Sequence, residues 1–308
     1  MVDVGQSLSA GMEPVAQSKL LGSYSSRQMS NVKRRKPWVA FLLSFLAPGA
    51  ALGQLYNRQV GKFLGVCFVF NVFSLLVLPF LLTSPKGAAC WIVAALVTWT
   101  LVWLDATISA YRIETTELAW YNKWYVYALV WIASLTIKSV SANYVKQNHF
   151  EAFKLPSSSM EPTLLPGDHL LVQKFAPTSA TLRHGQVVLY TLADDSTTPD
   201  VDESEIHIVK RLVALPGDKI EVRGDKLLLN GIPQVEPYAI WLLGGRRDFG
   251  PAVVPENSVF LLGDNRDYSK DSRFYSDPFV SQERLEGIAL YVYWSAFSPL
   301  DRFGKIIQ

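Results

Sequence analysis

Apolar residues are concentrated in the first half of the chain, where four nearly uncharged tracts follow a polar, basic N-terminus of residues 1–36. The tracts cover about residues 38–53, 63–83, 88–111 and 124–145. Because a helix needs about 20 predominantly apolar residues to cross a bilayer core about 30 Å thick, the second and third tracts predict membrane-spanning helices. Several such tracts in series argue against a buried helix of a soluble protein. We therefore expect residues 37–148 to form an α-helical transmembrane region.

The first tract is the weakest candidate for a full crossing, because Pro48-Gly49 and Gly53 interrupt the hydrogen bonding that a lipid-exposed helix needs. If it forms a re-entrant or interfacial hairpin, three crossings remain. The basic cluster of residues 33–36 then lies in the cytoplasm with four more basic residues: Arg58, Lys62, Arg112 and Lys123. This arrangement obeys the positive-inside rule and leaves the chain after about Val145 outside the cytoplasm. Four crossings would return the C-terminal half to the cytoplasm or put the basic cluster outside, so the charge pattern favours three.

From about His149 onward, short runs rich in Val, Ile and Leu alternate with turn sequences, a pattern typical of β-strands. Strands are predicted at 187–190, 208–213, 220–222, 227–229, 259–262 and 288–294. Asn230-Gly231 lies between two of these runs and is a strong hairpin signal. Residues 149–308 are therefore expected to form a mainly-β domain. The acidic stretch from Asp194 to Glu205 is interpreted as an exposed excursion rather than a metal-binding loop.

The overall composition excludes some functions. The chain is 49% hydrophobic and 18% charged with a net charge of +2, so it lacks the basic excess of a protein whose main partner is nucleic acid. Its two cysteines, Cys67 and Cys90, lie in apolar runs and cannot form a metal site by themselves. The four histidines do not suggest a metal site either. We expect neither a metal nor a cofactor.

Three segments of the C-terminal half carry candidate chemistry: residues 156–168 (PSSSMEPTLLPGD), 210–218 (KRLVALPGD) and 263–273 (GDNRDYSKDSR). A lysine inside an apolar, strand-like run is unusual, because a buried ammonium group is costly unless it is paired or neutralised. In order and spacing, the segments resemble the nucleophile box, the lysine box and the third box of type I signal peptidase. That family consists of membrane-bound Ser/Lys proteases that remove signal peptides from exported proteins. The resemblance covers roughly residues 150–295.

The resemblance implies a role for each matching residue. Ser159 corresponds to the nucleophile and Lys210 to its general base, since a desolvated lysine can take the serine proton. Ser269 corresponds to a serine that orients the lysine amine. Ser157 corresponds to the side-chain donor of an oxyanion hole whose other donor is the Ser159 N–H. Structural support of the site is expected from Arg211, Asp264, Asp271 and Arg273. The expected walls of the substrate pocket are Phe153, Leu155, Met160 and Ile208.

The resemblance also implies a substrate, a partner and a location. The substrates would be preprotein signal peptides cleaved after small-residue sites of the A-x-A kind, and a substrate strand could add beside residues 150–156. The second partner would be the lipid bilayer. The expected location is the bacterial inner membrane, with several crossings and the catalytic domain on the periplasmic or extracytoplasmic side.

The sequence leaves three alternatives. A Ser-His-Asp site is disfavoured, because no histidine lies in a matching pattern. Another Ser/Lys protease with a related β fold is the nearest rival. The third alternative is a membrane scaffold or transporter subunit whose C-terminal domain only binds exported chains.

Overall fold

The computed structural model describes residues 32–47, 49–113, 116–174, 182–192, 206–243 and 247–307. The described residues form two compact units. One contains the residues up to Leu75 together with Ile92–Val140, and the other contains Leu76–Trp91 together with the residues from Ser141 onward. The predicted acidic excursion, Asp194 to Glu205, lies outside the described residues, as does most of the predicted cytoplasmic N-terminus. The division of the chain at residues 36/37 and 148/149 stays a prediction.

The described residues before position 149 form six α-helices: α1 (Pro37–Leu46), α2 (Leu52–Tyr56), α3 (Val60–Leu76), α4 (Leu78–Leu81), α5 (Pro85–Arg112) and α6 (Trp124–Asn148). A short antiparallel pair joins β1 (Val32–Lys33) to β2 (Thr116–Glu117). By length and composition, α5 and α6 are the two described helices that could cross a membrane. The predicted second tract is divided at Val77, because Pro79 in the first turn of α4 has no N–H to donate to the preceding turn.

The first apolar tract is not one continuous helix, in agreement with its interrupted sequence. The ten residues of α1 extend about 15 Å, which is half the thickness of a bilayer core. Pro48 lies outside the described residues, and the chain turns through Gly49 and Ala51, whose φ angles are 79° and 44°. The next turn packs closely on its neighbours: a Cβ at Gly53 would lie 2.1 Å from Ser44 Oγ. A side chain at this position would therefore separate α1 from α2.

Polar side chains attach this hairpin to α5. Gln54 Nε2 donates to the carbonyl oxygen of Val102 at 2.7 Å, and Asn57 Nδ2 donates to that of Ala106 at 2.7 Å. These two carbonyls are one helical turn apart on α5, so both carboxamides bind the same helix face. These two hydrogen bonds therefore attach the hairpin to α5 within the helical unit.

The C-terminal half is mainly β, as predicted. Its strands are β3 (Phe150–Lys154), β4 (Asp168–Lys174), β5 (Val187–Leu192), β6 (Ile206–Ala214), β7 (Lys219–Arg223), β8 (Lys226–Leu229), β9 (Ile232–Pro233), β10 (Phe249–Val253), β11 (Ser258–Leu262), β12 (Val280–Ser281) and β13 (Leu285–Ser295). They form a seven-stranded antiparallel sheet in the order β12-β11-β6-β5-β13-β4-β3 and a four-stranded one in the order β10-β7-β8-β9. A short helix, α7 (Pro299–Arg302), follows β13.

Each of the six predicted strands coincides with an observed one, and the predicted hairpin is confirmed. Asn230 and Gly231 have φ angles of 54° and 80°, and they join β8 to β9 so that Leu229 pairs with Ile232. Positive φ at both central residues is what a two-residue hairpin turn requires. The predicted strands do not include β3, β4, β10 or the two-residue strands β9 and β12. In β4 the apolar run is only three residues long, and β10 contains a proline, which weakens a strand pattern.

One hydrophobic cluster lies behind the turn that follows β3. Met160 and Leu164 are fully buried there and pack with residues of β4, β6 and β13 that include Leu170 and Val209. Met160 directly follows Ser159 in the chain, and Val209 directly precedes Lys210. The same core therefore fixes the backbone at two of the three candidate boxes.

Candidate active site

Ser159 and Lys210 lie side by side although they are 51 positions apart in the sequence. Ser159 is in the turn after β3, and Lys210 is in the middle of β6. Lys210 Nζ lies 2.7 Å from Ser159 Oγ, and the two residues are only 3% and 5% exposed. A hydroxyl and an amine at hydrogen-bond distance and out of bulk water can act as a nucleophile and its base.

Burial lowers the pKa of Lys210 from its ordinary value of 10.5 to about 8. The negative charges of Asp271 and Asp264 act in the opposite direction, but their effect is smaller than the cost of removing the ammonium from water. The amine also donates to the carbonyl oxygen of Val209 at 3.2 Å. About one tenth of this amine is therefore unprotonated at pH 7 and can accept a proton, a far larger share than for a solvated lysine.

Ser157 provides a second hydroxyl at the nucleophile. The backbone N–H of Ser159 donates to Ser157 Oγ at 3.1 Å, and the Ser157 side chain lines the cleft in front of the site. This distance is short enough for the hydroxyl and the N–H to donate to one common oxygen atom, once the N–H exchanges its present partner for that oxygen. The predicted oxyanion-hole pair is therefore adjacent.

The third box packs directly on the nucleophile turn. Asn265 N donates to the carbonyl oxygen of Ser159 at 3.1 Å, and Asn265 Nδ2 donates to that of Ser158 at 3.4 Å. Gly263 allows this close approach, since a Cβ there would lie 2.2 Å from Ser269 Oγ and 2.5 Å from Ser159 O. These contacts fix the peptide groups on both sides of Ser159 and so hold its side chain in position.

Ser269 is 4% exposed and lies against Gly263, close to the nucleophile turn. Its Oγ has no hydrogen-bond partner within the part of the chain that the structure describes. The Lys210 amine contacts Ser159 Oγ and the Val209 carbonyl instead. Orientation of the amine by Ser269 therefore stays a prediction.

The four predicted supporting residues form two ion pairs. Arg211 Nε and Nη2 each lie 2.7 Å from the carboxylate of Asp264, and Arg273 Nε and Nη2 each lie 2.9 Å from that of Asp271. All four side chains are fully buried. Asp271 Oδ2 also accepts a hydrogen bond from the N–H of Gly263 at 3.0 Å. The first pair ties the lysine strand to the third box, and the second pair lies within that box. Loss of one partner in either pair would leave a buried, unpaired charge.

A third buried pair escaped the sequence analysis. Arg266 binds the carboxylate of Glu236 with two hydrogen bonds of 2.6 and 2.7 Å. The segment around Glu236 also supplies aromatic rings, with Arg211 lying 3.7 Å from the centre of the Tyr238 ring and Arg266 lying 4.9 Å from that of Trp241. Glu236 and the nearby rings of Tyr238 and Trp241 are a weak signal in the sequence, because their partners are distant along the chain.

The C-terminal segment also holds the nucleophile box. Arg302 Nε lies 2.9 Å from Oδ1 of the fully buried Asp168, and Arg302 Nη2 donates to the carbonyl oxygen of Thr163 at 3.1 Å. Lys305 Nζ donates to the same carbonyl at 2.8 Å. Burial tends to raise the pKa of Asp168, but hydrogen bonds from Arg302 and from the Leu165 N–H outweigh it and lower the pKa. Arg302 and Lys305 thus fix the C-terminal part of the nucleophile box.

A cleft of about 870 Å³ opens in front of Ser159 and Lys210. Of the four predicted pocket residues, Phe153, Leu155 and Ile208 line it. Met160 does not: it is fully buried in the hydrophobic core, because the chain turns inward directly after Ser159. The opposite wall comes from the third box and the chain that follows it. Its members include Tyr268, Lys270, Phe274, Tyr275, Asp277 and Arg284.

The four histidines contact residues other than Ser159. Their partners are Tyr144 for His149, Trp294 for His169, Asp218 for His184 and Glu286 for His207. The basic side chain at hydrogen-bond distance from the Ser159 hydroxyl is that of Lys210.

Comparison with known proteins identifies a family for this chain. The family model described as "Signal peptidase, peptidase S26" matches residues 128–294, which contain all three boxes. The residues before position 128, including α1 to α5, lie outside the match.

Individual relatives match about half of the chain. Signal peptidase I of Bacillus licheniformis is 33% identical over 175 residues, which are 53% of this chain and 87% of the relative. Signal peptidase I of Leptolyngbya laminosa is 34% identical over 160 residues, or 51% of this chain and 72% of the relative. A crystal structure of a signal peptidase I from Enterococcus faecalis aligns with 35% of this chain and 96% of its own at 27% identity, with a TM-score of 0.29.

Proposed function

The chain belongs to the peptidase S26 family of signal peptidases, which are serine endopeptidases, and on this premise we propose that it removes signal peptides from exported preproteins with Ser159 as nucleophile and Lys210 as general base. The cleavage sites would follow small residues in the A-x-A pattern. The observation that carries the proposal is the 2.7 Å distance between Lys210 Nζ and Ser159 Oγ inside a buried site. Both residues stand where the nucleophile and lysine boxes require them.

The first half of the reaction forms an acyl-enzyme. Unprotonated Lys210 Nζ accepts the hydroxyl proton of Ser159 while Oγ bonds to the carbonyl carbon of the scissile peptide. The carbonyl oxygen becomes an oxyanion, which the Ser159 N–H and the Ser157 hydroxyl stabilise by hydrogen bonds. The Lys210 ammonium then gives its proton to the leaving nitrogen as the C–N bond breaks, and the mature chain departs with a free amino group.

The second half returns the enzyme to its starting state. Lys210, again unprotonated, takes a proton from a water molecule as the water oxygen attacks the ester carbon. The bond between that carbon and Ser159 Oγ breaks, and Oγ recovers a proton from Lys210. The signal peptide leaves with a new C-terminal carboxylate. Because one amine alternates as base and acid, its pKa must lie near the working pH, and burial of Lys210 lowers the pKa to about 8.

The substrate strand would add beside β3. This strand pairs with β4 and ends the order of the seven-stranded sheet, so its outer edge offers backbone groups to an extended peptide. The chain runs from this edge directly into Ser157 and Ser159. Phe153, Leu155 and Ile208 supply apolar walls near this edge, which suits small side chains in the A-x-A positions.

We propose that the bilayer is the second partner and that the chain crosses it three times, through α3 with α4, α5 and α6. Large apolar side chains on these helices are exposed, among them Phe68 (68%), Leu101 (61%) and Val140 (63%), and such surfaces are stable in lipid rather than in water. The catalytic domain would then lie on the extracytoplasmic face of a bacterial inner membrane. A topology reporter inserted after Leu52 should be cytoplasmic, and an external signal would contradict three crossings.

Cleavage of a preprotein with an A-x-A site by membranes that contain this protein tests the catalytic proposal. Wild type should cleave, whereas Ser159→Ala and Lys210→Ala should not. Lys210→Arg should also be inactive, because a guanidinium group does not give up its proton. Lys219→Ala is the matched control, since Lys219 is an exposed lysine on β7 and does not line the cleft. Cleavage that survives both alanine changes would end the Ser/Lys proposal, and binding without cleavage by wild type would favour a scaffold.

A further inference from the structure

The cleft carries more positive than negative charge. Lys270 and Arg284 both line it, and neither side chain forms an ion pair, a hydrogen bond or a ring contact within the described residues. Asp277 is the carboxylate among the described lining residues, and its Oδ1 accepts the N–H of Phe279 at 3.0 Å. Two cations are thus available to a bound peptide, whereas the one carboxylate, that of Asp277, already accepts a backbone hydrogen bond.

Of these two cations, Lys270 is the nearer to the nucleophile turn. It directly follows Ser269. Ser269 and Ser159 both pack against Gly263, since a Cβ at Gly263 would lie 2.2 Å from Ser269 Oγ and 2.5 Å from Ser159 O. Consecutive Cα atoms are about 3.8 Å apart, so the lysine side chain starts within one residue of the nucleophile turn. Five single bonds join the lysine Cα to Nζ, so the extended side chain places its ammonium about 6 Å from the Cα. Its ammonium can therefore reach peptide residues next to the scissile bond.

Arg284 lies farther from the nucleophile and provides an internal comparison. Its carbonyl oxygen accepts a hydrogen bond from Thr191 Oγ1 at 3.5 Å, and Thr191 pairs with His207 on β6. His207 precedes Lys210 by three residues, or about 10 Å along a strand. Lys270 therefore lies in the part of the cleft near Ser159, and Arg284 lies in the part farther from it.

We propose that Lys270 is a specificity-determining residue that favours preproteins with an Asp or Glu next to the scissile bond. The inference rests on the proposed function and names a substrate class for the same site. The relevant peptide positions are the middle residue of the A-x-A site and the first two residues of the mature chain, because the other two A-x-A positions need small side chains. A carboxylate at one of these positions forms an ion pair with the Lys270 ammonium.

The expected preference is modest, because the Lys270 ammonium is exposed. Ion pairs between exposed groups usually change an equilibrium or rate constant by about two- to fivefold. The ratio of kcat/KM for a Glu substrate to that for its Gln isostere should therefore be about two to five at one or more of the three positions, and it should fall with added salt. Gln has the size and hydrogen-bonding capacity of Glu without its charge, so this ratio isolates the electrostatic contribution.

The test uses the full-length protein and one preprotein in versions with Glu, Gln or Lys at each of the three positions. Wild type should prefer Glu over Gln, Lys270→Gln should bring the ratio to about one, and Lys270→Glu should reverse the preference toward Lys. Arg284→Gln is the matched control, because it removes one cation from the far part of the cleft and should keep the Glu preference. Each ratio is taken within one variant, so a general loss of activity cancels.

Three results would overturn the inference: equal kcat/KM for Glu and Gln substrates with wild type, an unchanged ratio in Lys270→Gln, or equal losses in Lys270→Gln and Arg284→Gln. The last result would assign the preference to the overall charge of the cleft. Failure of the proposed function itself looks different, since wild type would then cleave none of the substrates.

Discussion

The buried amine of Lys210 predicts a specific dependence of activity on pH. Its pKa is lowered to about 8 because burial disfavours the ammonium form, and only the unprotonated amine can accept the Ser159 proton. About one tenth of the protein molecules would carry the unprotonated amine at pH 7 and about half at pH 8. We therefore expect kcat/KM to rise about fivefold from pH 7 to 8 and less than about twofold above pH 8. A lysine with its ordinary pKa would give a tenfold rise per unit up to about pH 10.

The measurement is kcat/KM from pH 6 to 10 on a peptide or preprotein whose residues near the cleavage site do not titrate in this range. This ratio reports the free enzyme, so the observed midpoint is that of the unliganded site. Ser159→Ala supplies the blank at each pH. A circular dichroism or fluorescence scan of the same samples separates titration of the amine from unfolding at the extremes.

Two outcomes would refute this reasoning. A tenfold rise per pH unit that continues through pH 10 would mean that Lys210 keeps the pKa of a solvated lysine, in conflict with its 3% exposure. A profile that is flat from pH 7 to 9 would mean that another step or another base limits the rate. A plateau above about pH 9 supports the buried amine.

Three further changes test how the site is built. Lys210→Met should be inactive, but its free energy of unfolding at pH 7 should be higher by about 3 kcal/mol, because the folded state no longer has to neutralise or bury an ammonium. This gain should disappear as the pH approaches 10.5, where the lysine of the unfolded wild type also loses its proton. Thermal melting as a function of pH measures it. Gly263→Ala should lower kcat/KM on the order of 10²-fold, because its Cβ would displace Ser269 and the Ser159 carbonyl; a variant of wild-type activity would contradict this. Arg302→Met should destabilise the protein by about 3 kcal/mol, because it leaves the buried Asp168 carboxylate without its ion-pair partner. Denaturant unfolding measures this loss, and an unchanged unfolding midpoint would contradict the stabilising role of Arg302.

The sequence allowed the β fold to be predicted where its local signals agree. Asn230-Gly231 produced the expected hairpin, since positive φ at both residues is a local property. β4 was missed because a strand with a short apolar run is stabilised by its partners on both sides, and pairing between distant segments leaves no local pattern. The same limit applies in the helical unit. The interruption of the first tract was predictable from Gly49, but the carboxamide contacts of Gln54 and Asn57 with α5 were not.

The candidate site shows the same division. A resemblance of motifs identified Ser159 and Lys210, and the structure adds their 2.7 Å contact, which no spacing rule contains. Met160 was expected at the pocket because it follows Ser159, but a one-residue step along a turn reverses the direction of a side chain, and Met160 points into the core. The motif brings Ser269 close to the nucleophile turn, but a motif does not determine whether its hydroxyl forms a hydrogen bond, because that depends on fractions of an ångström.

The charges around Lys210 explain why burial, rather than a positive field, lowers its pKa. Three guanidinium groups lie in this region, and each is paired with a carboxylate: Arg211 with Asp264, Arg266 with Glu236 and Arg273 with Asp271. Three positive and three negative charges cancel, so the cluster as a whole adds little repulsion to the ammonium. Asp264 and Asp271 even favour the ammonium, and yet the pKa falls to about 8. The cost of desolvation must therefore exceed their attraction, which requires that the apolar packing around Val209 keeps water away from the amine.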